Sequence, residues 1–265
     1  MNVPSSLRRR LGLSAVMAVV MGDMLGSGIF FTPGELASLA EQPWQVYFIW
    51  GASGLIVLCG ALTLGELISL LPKAGASFHI IKAGFGPFWG FVKVWMEVWV
   101  TLPGSVAGVA IVFGDFAIRF MGDRAVGNAT SWGIAAIAVF AAINLLGVQW
   151  GGRTQIALTA TKIVGLLLLV LGSFLLAEPV PVPAAPAMKS GIGLLAFLRF
   201  IGLGIAAVLF TYDGWTDVSH VAGEVVEPQK NLPRGLALGV GGITLLYLLV
   251  NMAYLRVVPL EAMQS

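Results

Sequence analysis

The sequence predicts an all-α integral membrane protein of seven crossings, two of them interrupted inside the bilayer. Three observations predict this class. Hydrophobic residues make up 58% of the 265-residue chain and charged residues 11%, against about 45–50% and about 25% in soluble domains. Mean hydropathy is +0.92, and the 34 glycines and 13 prolines sit within apolar runs instead of a linker. Seven apolar runs each reach the roughly 20 residues that a crossing needs. Lipid cannot hydrogen-bond a main chain, so these runs must be helices that satisfy their own backbone. The loops left over are too short for a water-soluble catalytic domain.

The runs lie at about 12–39, 45–71, 86–119, 129–149, 155–177, 193–222 and 235–256. The first follows a basic segment, Met1 to Arg10, and continues without a small-residue cleavage site, so it reads as a retained crossing. Between the runs lie Glu41-Gln42-Pro43, Pro72 to Phe85, Met121 to Asn128, Trp150 to Thr154, Glu178 to Ser190 and Gly223 to Arg234. Cytoplasmic loops carry the excess of Lys and Arg. With the N-terminus inside, that side holds Arg8, Arg9, Arg10, Lys73, Lys82, Arg153, Lys230 and Arg234, and the other holds Arg119, Arg124, Lys189 and Arg256. The expectation is a cell-membrane protein with a cytoplasmic N-terminus.

Composition excludes several partners. The net charge of +2 is scattered, without a basic stripe to follow a phosphate backbone, so no nucleic acid is expected. Cys59 is the single cysteine, which leaves no intrachain disulfide and no Cys/His metal spacing. No metal or cofactor is expected.

Two runs differ in texture from the rest. The first carries Gly26-Ser27-Gly28 and then Thr32-Pro33-Gly34; the sixth carries Thr211-Tyr212-Asp213-Gly214-Trp215. Each glycine costs a helix about 1 kcal/mol relative to alanine, and a mid-bilayer charge costs several. Breaks at corresponding places point to a transporter site, and runs one and six correspond in a five-plus-five inverted repeat. A break at Gly26 to Gly28 frees N–H groups at the positive end of a half-helix, where a carboxylate can sit. Freed carbonyls there and around Phe210 to Asp213 suit an ammonium, so the pair describes a zwitterion site. The competing reading of Gly-x-Gly is close helix packing.

Lys162 is the only charge between Gln155 and Ala177. It reads either as a fixed cation where a coupling sodium would sit, or as a side chain snorkelling to the headgroups. Asp23, one turn before the break, has three readings: a partner for Lys162, a ligand for a substrate amine, or a titrating group. Asp213, Asp217, His220 and Glu224 recur at spacings of four, three and four, one face of a continuous helix. Lys93 and Glu97 are placed to pair on one face, and Phe210 is a candidate gate. A rival of another class comes from Gly51-Ala52-Ser53-Gly54, which resembles the nucleophile motif of rhomboid intramembrane serine proteases. That reading needs a histidine within reach of Ser53, and the topology sets His79 and His220 toward the other face.

Taken together the motifs have a family likeness. Gly26-Ser27-Gly28-Ile29-Phe30 with Pro33 resembles the first-helix signature of amino-acid permeases in the amino acid, polyamine and organocation superfamily. Leu209 to Trp215, followed by Glu224, Pro228, Asn231 and Pro233, is similar to the sixth helix of its L-type branch. Gly65-Glu66-Leu67, Pro72 to Gly75, Pro103-Gly104-Ser105, Ile143-Asn144 and Thr161-Lys162 agree in order along the chain.

The resemblance implies a leucine-transporter-like inverted repeat over 1–265, a single transmembrane domain with its first five-helix repeat and two helices of the second. It also implies alternating-access transport of L-amino acids, neutral ones first, by exchange or proton-linked uptake. Cationic amino acids or polyamines, and a non-transporting binding module, are the alternatives. The implied substrate-binding residues are Met24, Gly26, Ser27, Gly28, Ile29, Phe210, Tyr212, Asp213 and Gly214. Phe210 would be the gate, and Lys162 with Asp23 the coupling site. Family members have about twelve helices, so the sequence reads as the front portion of one, whose later helices would complete the pocket. The Met121 to Asn128 loop lacks the cysteine that tethers animal members to an ancillary glycoprotein, so no such partner is expected; a homo-oligomer is left open.

Overall fold

A computed structural model describes residues 9–73, 75–124, 126–180 and 194–264. Arg8, Lys189 and the rest of the proline-rich run after Val180 lie outside the described residues. The helices are α1 (Leu13–Met24), α2 (Gly28–Leu39), α3 (Pro43–Leu70), α4 (Ala76–Phe85), α5 (Pro87–Met121), α6 (Ala129–Leu145), α7 (Val148–Leu175), α8 (Leu194–Thr211), α9 (Val218–Val221) and α10 (Pro228–Val257). Among the described residues, four helices are long and apolar enough to cross a membrane. Two bent pairs add a broken span each, and α6 is a shorter apolar helix. The protein is an all-α, multi-pass membrane protein.

Both interruptions are real bends. The axes of α1 and α2 differ by 52°, and the sixth run turns by 46° between Thr211 and Trp215. Gly214 makes the second turn possible, because its φ of 107° belongs to the left-handed region.

Three boundaries depart from the sequence reading. The sixth-to-seventh connection is shorter than expected, because α10 begins at Pro228 and absorbs most of the polar Gly223 to Arg234 run. Proline at a first helical position forgoes no bond, and the Asn231 amide caps the turn by donating to the Val226 carbonyl at 2.5 Å. The break expected at Trp150 to Thr154 falls instead at Gly147, with φ 115°, so α7 starts at Val148. The Pro72 to Phe85 connection contains α4.

The chain forms two compact units, residues 1–77 with 162–265, and residues 78–161. In the second unit α5 packs on α6 through glycine: a Cβ on Gly114 would fall 1.9 Å from the Ala129 carbonyl oxygen, and one on Gly133 2.7 Å from that of Ala110. Midway along α5 a π-helical turn, Glu97–Thr101, precedes Pro103. The wider turn accommodates a residue that has no N–H to donate. Lys93 and Glu97 form an ion pair on this helix, as their spacing predicts.

In the first unit α3 lies against α10 over the most extensive helix contact of the chain. Among the buried residues of α3, Val46, Ile49, Ser53, Val57, Ala61, Gly65 and Ile68 recur every three or four positions and form one stripe, which Trp50 joins. Leu55, Leu62 and Leu67 on its other side are exposed and equally apolar, as a lipid-facing surface requires. Val16 and Val20 of α1 seat on Gly235 and Gly239 of α10, where an added Cβ would approach the valine Cγ1 atoms to 2.4 and 2.8 Å. This is small-residue helix packing of the kind membranes favour. At the centre Trp50, Tyr212 and Tyr247 form a buried triad with ring centroids 5.2–5.8 Å apart.

A Cβ on Gly54 would lie 2.4 Å from Thr244 Cγ2 and 3.0 Å from Tyr212 Oη. Gly54→Val is therefore expected to destabilise the detergent-solubilised protein by about 1–3 kcal/mol, the usual range for overpacking. A thermal-melting measurement beside the unchanged chain checks it.

Candidate functional site

The site is built from the two breaks. α1 ends at Met24, and α2 begins at Gly28 after three residues outside either helix. The first N–H groups of α2 have no partner within their own helix, and Ser27 at its N-cap makes no side-chain cap bond. Gly26 is exposed and Ser27 half-buried, whereas Met24, Leu25, Gly28 and Ile29 are buried. One side of the break is thus open at Gly26 and Ser27. The other side is packed.

The freed carbonyls on the packed side already have partners within the protein. Met24 O accepts from the Gly26 N–H at 2.8 Å and from the Tyr247 hydroxyl at 2.7 Å. Leu25 O accepts from the Lys162 ammonium. Lys162 is therefore anchored on the break and does not snorkel. The carbonyl of Met24, a residue implied to bind substrate, is thus already held by protein donors. Asp23 interacts electrostatically with Lys162, Asp217 and His220, so it belongs to a group of four ionisable residues.

The second break faces the first at close range. A Cβ on Gly214 would fall 2.6 Å from both the carbonyl carbon and oxygen of Asp23, so only glycine lets the two backbones meet. Gly28 is pressed as tightly against Thr211, whose Oγ1 lies 2.5 Å from where a Cβ would be. Thr32 and Thr211 share a buried hydrogen bond of 2.7 Å between their hydroxyls. The main chain joins the spans again at their ends, where Arg10 and Leu11 N–H groups donate to Glu224 O at 2.8 and 3.0 Å and Val226 N–H donates to Leu11 O at 2.9 Å.

Of the residues read as binding, Gly26, Phe210 and Asp213 are exposed and Ser27 is half-buried. Phe210 is 71% exposed at the end of α8, and Asp213 is exposed beside it. Tyr212 is corrected: its ring is fully buried between Trp50 and Tyr247, and its hydroxyl donates to Trp50 O at 3.2 Å, because the final helical turn aims it inward. Its side chain is scaffold. The expected stripe from Asp213 to Glu224 is also corrected, since the turn at Gly214 and two short 3-10 segments around α9 destroy the continuous helical register. Asp217 and His220 still approach, at 3.9 Å. Ser53 is fully buried and its hydroxyl has no hydrogen-bond partner, so no histidine is poised to activate it.

Thr32 and Thr211 lie in the two marked stretches but were given no role of their own, and Tyr247 was not picked out. Threonine is ordinary in membrane helices, and Tyr247 lies in an apolar run with nothing in its neighbours to mark it. Only the proline at Pro33, one residue past Thr32, hinted that this turn is special.

The sequence matches the family described as amino acid permease over residues 11–265. It is 27% identical to the serine/threonine exchanger SteT of Bacillus subtilis over 96% of this chain and 56% of that protein. It is 28% identical to the b(0,+)-type amino acid transporter 1 of Mus musculus, over 98% of this chain and 54% of the relative. The large neutral amino acids transporter small subunit 2 of Mus musculus is also 28% identical, over 98% and 50%. The chain spans about half the length of the curated relatives it matches. These relatives are named as transporters and exchangers, not enzymes.

Gly28→Ala is expected to lower thermal stability through its clash with Thr211, with or without a ligand. Adding Thr211→Ala, which removes the two nearest atoms, is expected to recover part of the loss, and paired melting curves of the single and double variants check it.

Proposed function

Since the chain belongs to the amino acid permease family, we propose that it takes part in secondary transport of L-amino acids across the cell membrane, neutral ones first, with residues 1–265 forming part of one transmembrane transporter domain. The observation that supports this reading is exposure at both breaks: Gly26 is exposed and Ser27 half-buried just before α2, and Phe210 and Asp213 are exposed at the end of α8. The N–H groups of Ser27, Gly28 and Ile29 stand at the positive end of a half-helix and donate to a carboxylate. The last carbonyls of α8, beyond Phe210, lie past the final helical turn and receive the ammonium. The two charges of an amino acid then bridge two broken spans, and Phe210 covers the ligand.

Alternating access follows if the bends at the two breaks are where the spans flex, exposing the bound zwitterion first to one side and then to the other. Lys162 holds the Leu25 carbonyl as a cation fixed in the chain, standing where a sodium-coupled protein would place an ion. Asp23, with Asp217 and His220 near it, is the proposed coupling group. The N-terminus lies on the cytoplasmic side, on the count of basic residues. The relatives named for serine and threonine and for large neutral amino acids support neutral substrates.

Gly26 offers a clean test, because an added Cβ meets nothing nearer than the Gly28 nitrogen at 4.0 Å. Gly26→Val is expected to keep its melting temperature and to lose substrate binding by about tenfold or more, equivalent to a charge-assisted hydrogen bond. Unchanged affinity would remove the first break from the site. Competition for uptake in proteoliposomes is expected to show leucine, serine and threonine inhibiting and arginine not. Inhibition by arginine alone would overturn the neutral assignment.

A further inference from the structure

Away from the breaks, a cavity of about 220 Å³ is lined by Leu39, Glu41, Gln45, Phe197, Arg199 and Phe200 among others. Its position follows from the helix ends. Leu39 closes α2, Pro43 opens α3, and Phe197 to Phe200 lie in the first two turns of α8. Three span ends meet at one membrane boundary. Trp44 and Phe48, both about half exposed and in edge contact, lie in the first two turns of α3, as aromatic residues do at headgroup level.

The cavity carries both signs of charge. Arg199 is exposed in the second turn of α8, at that boundary. Glu41 faces the same space from the connection between α2 and α3. Among the described residues, neither side chain forms a hydrogen bond or ion pair, and the two do not pair with each other. Gln45 is 4% exposed and uses its carbonyl oxygen to accept from the Glu41 and Gln42 N–H groups at 2.6 and 2.9 Å. That leaves its amide NH2 to serve the cavity. The remaining walls are apolar.

We propose that this cavity binds the headgroup of an ammonium-bearing phospholipid, of the phosphatidylethanolamine class. Arg199 and the Gln45 amide take the phosphate, since guanidinium and amide N–H groups are donors only. Glu41 takes the ammonium. Leu39, Phe197 and Phe200 receive the first methylenes of the acyl chains, which run down the lipid-facing side of the helices. A lipid is favoured over a free zwitterion because the site joins paired charges to an apolar wall at a membrane boundary. This assignment does not depend on the transport reading.

The test is native mass spectrometry of the detergent-solubilised protein with added phosphatidylethanolamine or phosphatidylglycerol. The unchanged protein is expected to retain phosphatidylethanolamine about tenfold better than phosphatidylglycerol. Glu41→Gln is expected to erase the preference while keeping binding, and Arg199→Gln to lose both lipids, with Arg199→Lys recovering part. Glu41 is an exposed connection residue, so its variant reads the proposal even if Arg199→Gln fails to insert. Equal retention of the two lipids by the unchanged protein would overturn the proposal, as would a preference unaltered in Glu41→Gln. Displacement of bound phosphatidylethanolamine by millimolar serine or leucine would also overturn it, by making the cavity a second amino-acid site.

Discussion

The structure rests on how the broken first span satisfies its backbone without water. A helix stopped inside a bilayer leaves carbonyls that lipid cannot bond, each a penalty of several kcal/mol. Here the Tyr247 hydroxyl holds Met24 O and the Lys162 ammonium holds Leu25 O. The two donors come from α10 and α7, far apart in the chain. Because partners outside α1 and α2 supply these bonds, the break is built into the fold and requires no ligand to keep it open.

Once the first break is held, the second is constrained to it. Gly214 touches the Asp23 backbone, Gly28 touches Thr211, and the Thr32 and Thr211 hydroxyls share a buried bond. The parallel bridge between Leu11 and Val225 repeats the connection where both spans end. Such contacts fix how the two breaks meet in this conformation. Gly26, Phe210 and Asp213 stay exposed, and this difference in burial separates scaffold from candidate site. Arg256 adds a tie elsewhere, its Nε donating to Ser173 O at 2.9 Å while its guanidinium stacks over Phe174.

Both breaks were legible because their residues violate their surroundings. Gly26, Gly28 and Gly214 are poor helix formers in apolar runs, and Lys162 and Asp23 are charges where charges are expensive. Residues that fit their surroundings were not legible. Thr32 and Thr211 could as well bond to their own helix, and Tyr247 could as well line a membrane interface. Tyr212 misled for a related reason: adjacency to a break says nothing about which way a side chain leaves the last turn. The Asp213 to Glu224 spacing misled because helical arithmetic holds only while the helix is continuous.

The sequence by itself determined the all-α membrane class and the location of both interruptions. Hydropathy and the cost of glycine or charge in a helix are local quantities, readable one segment at a time. The tertiary structure alone decided which orphaned carbonyls are held and by whom, which glycines are there for contact instead of for a ligand, and that Arg199 and Glu41 share one cavity. Each of these is a meeting of residues distant in the chain, fixed by three-dimensional packing that no single segment encodes.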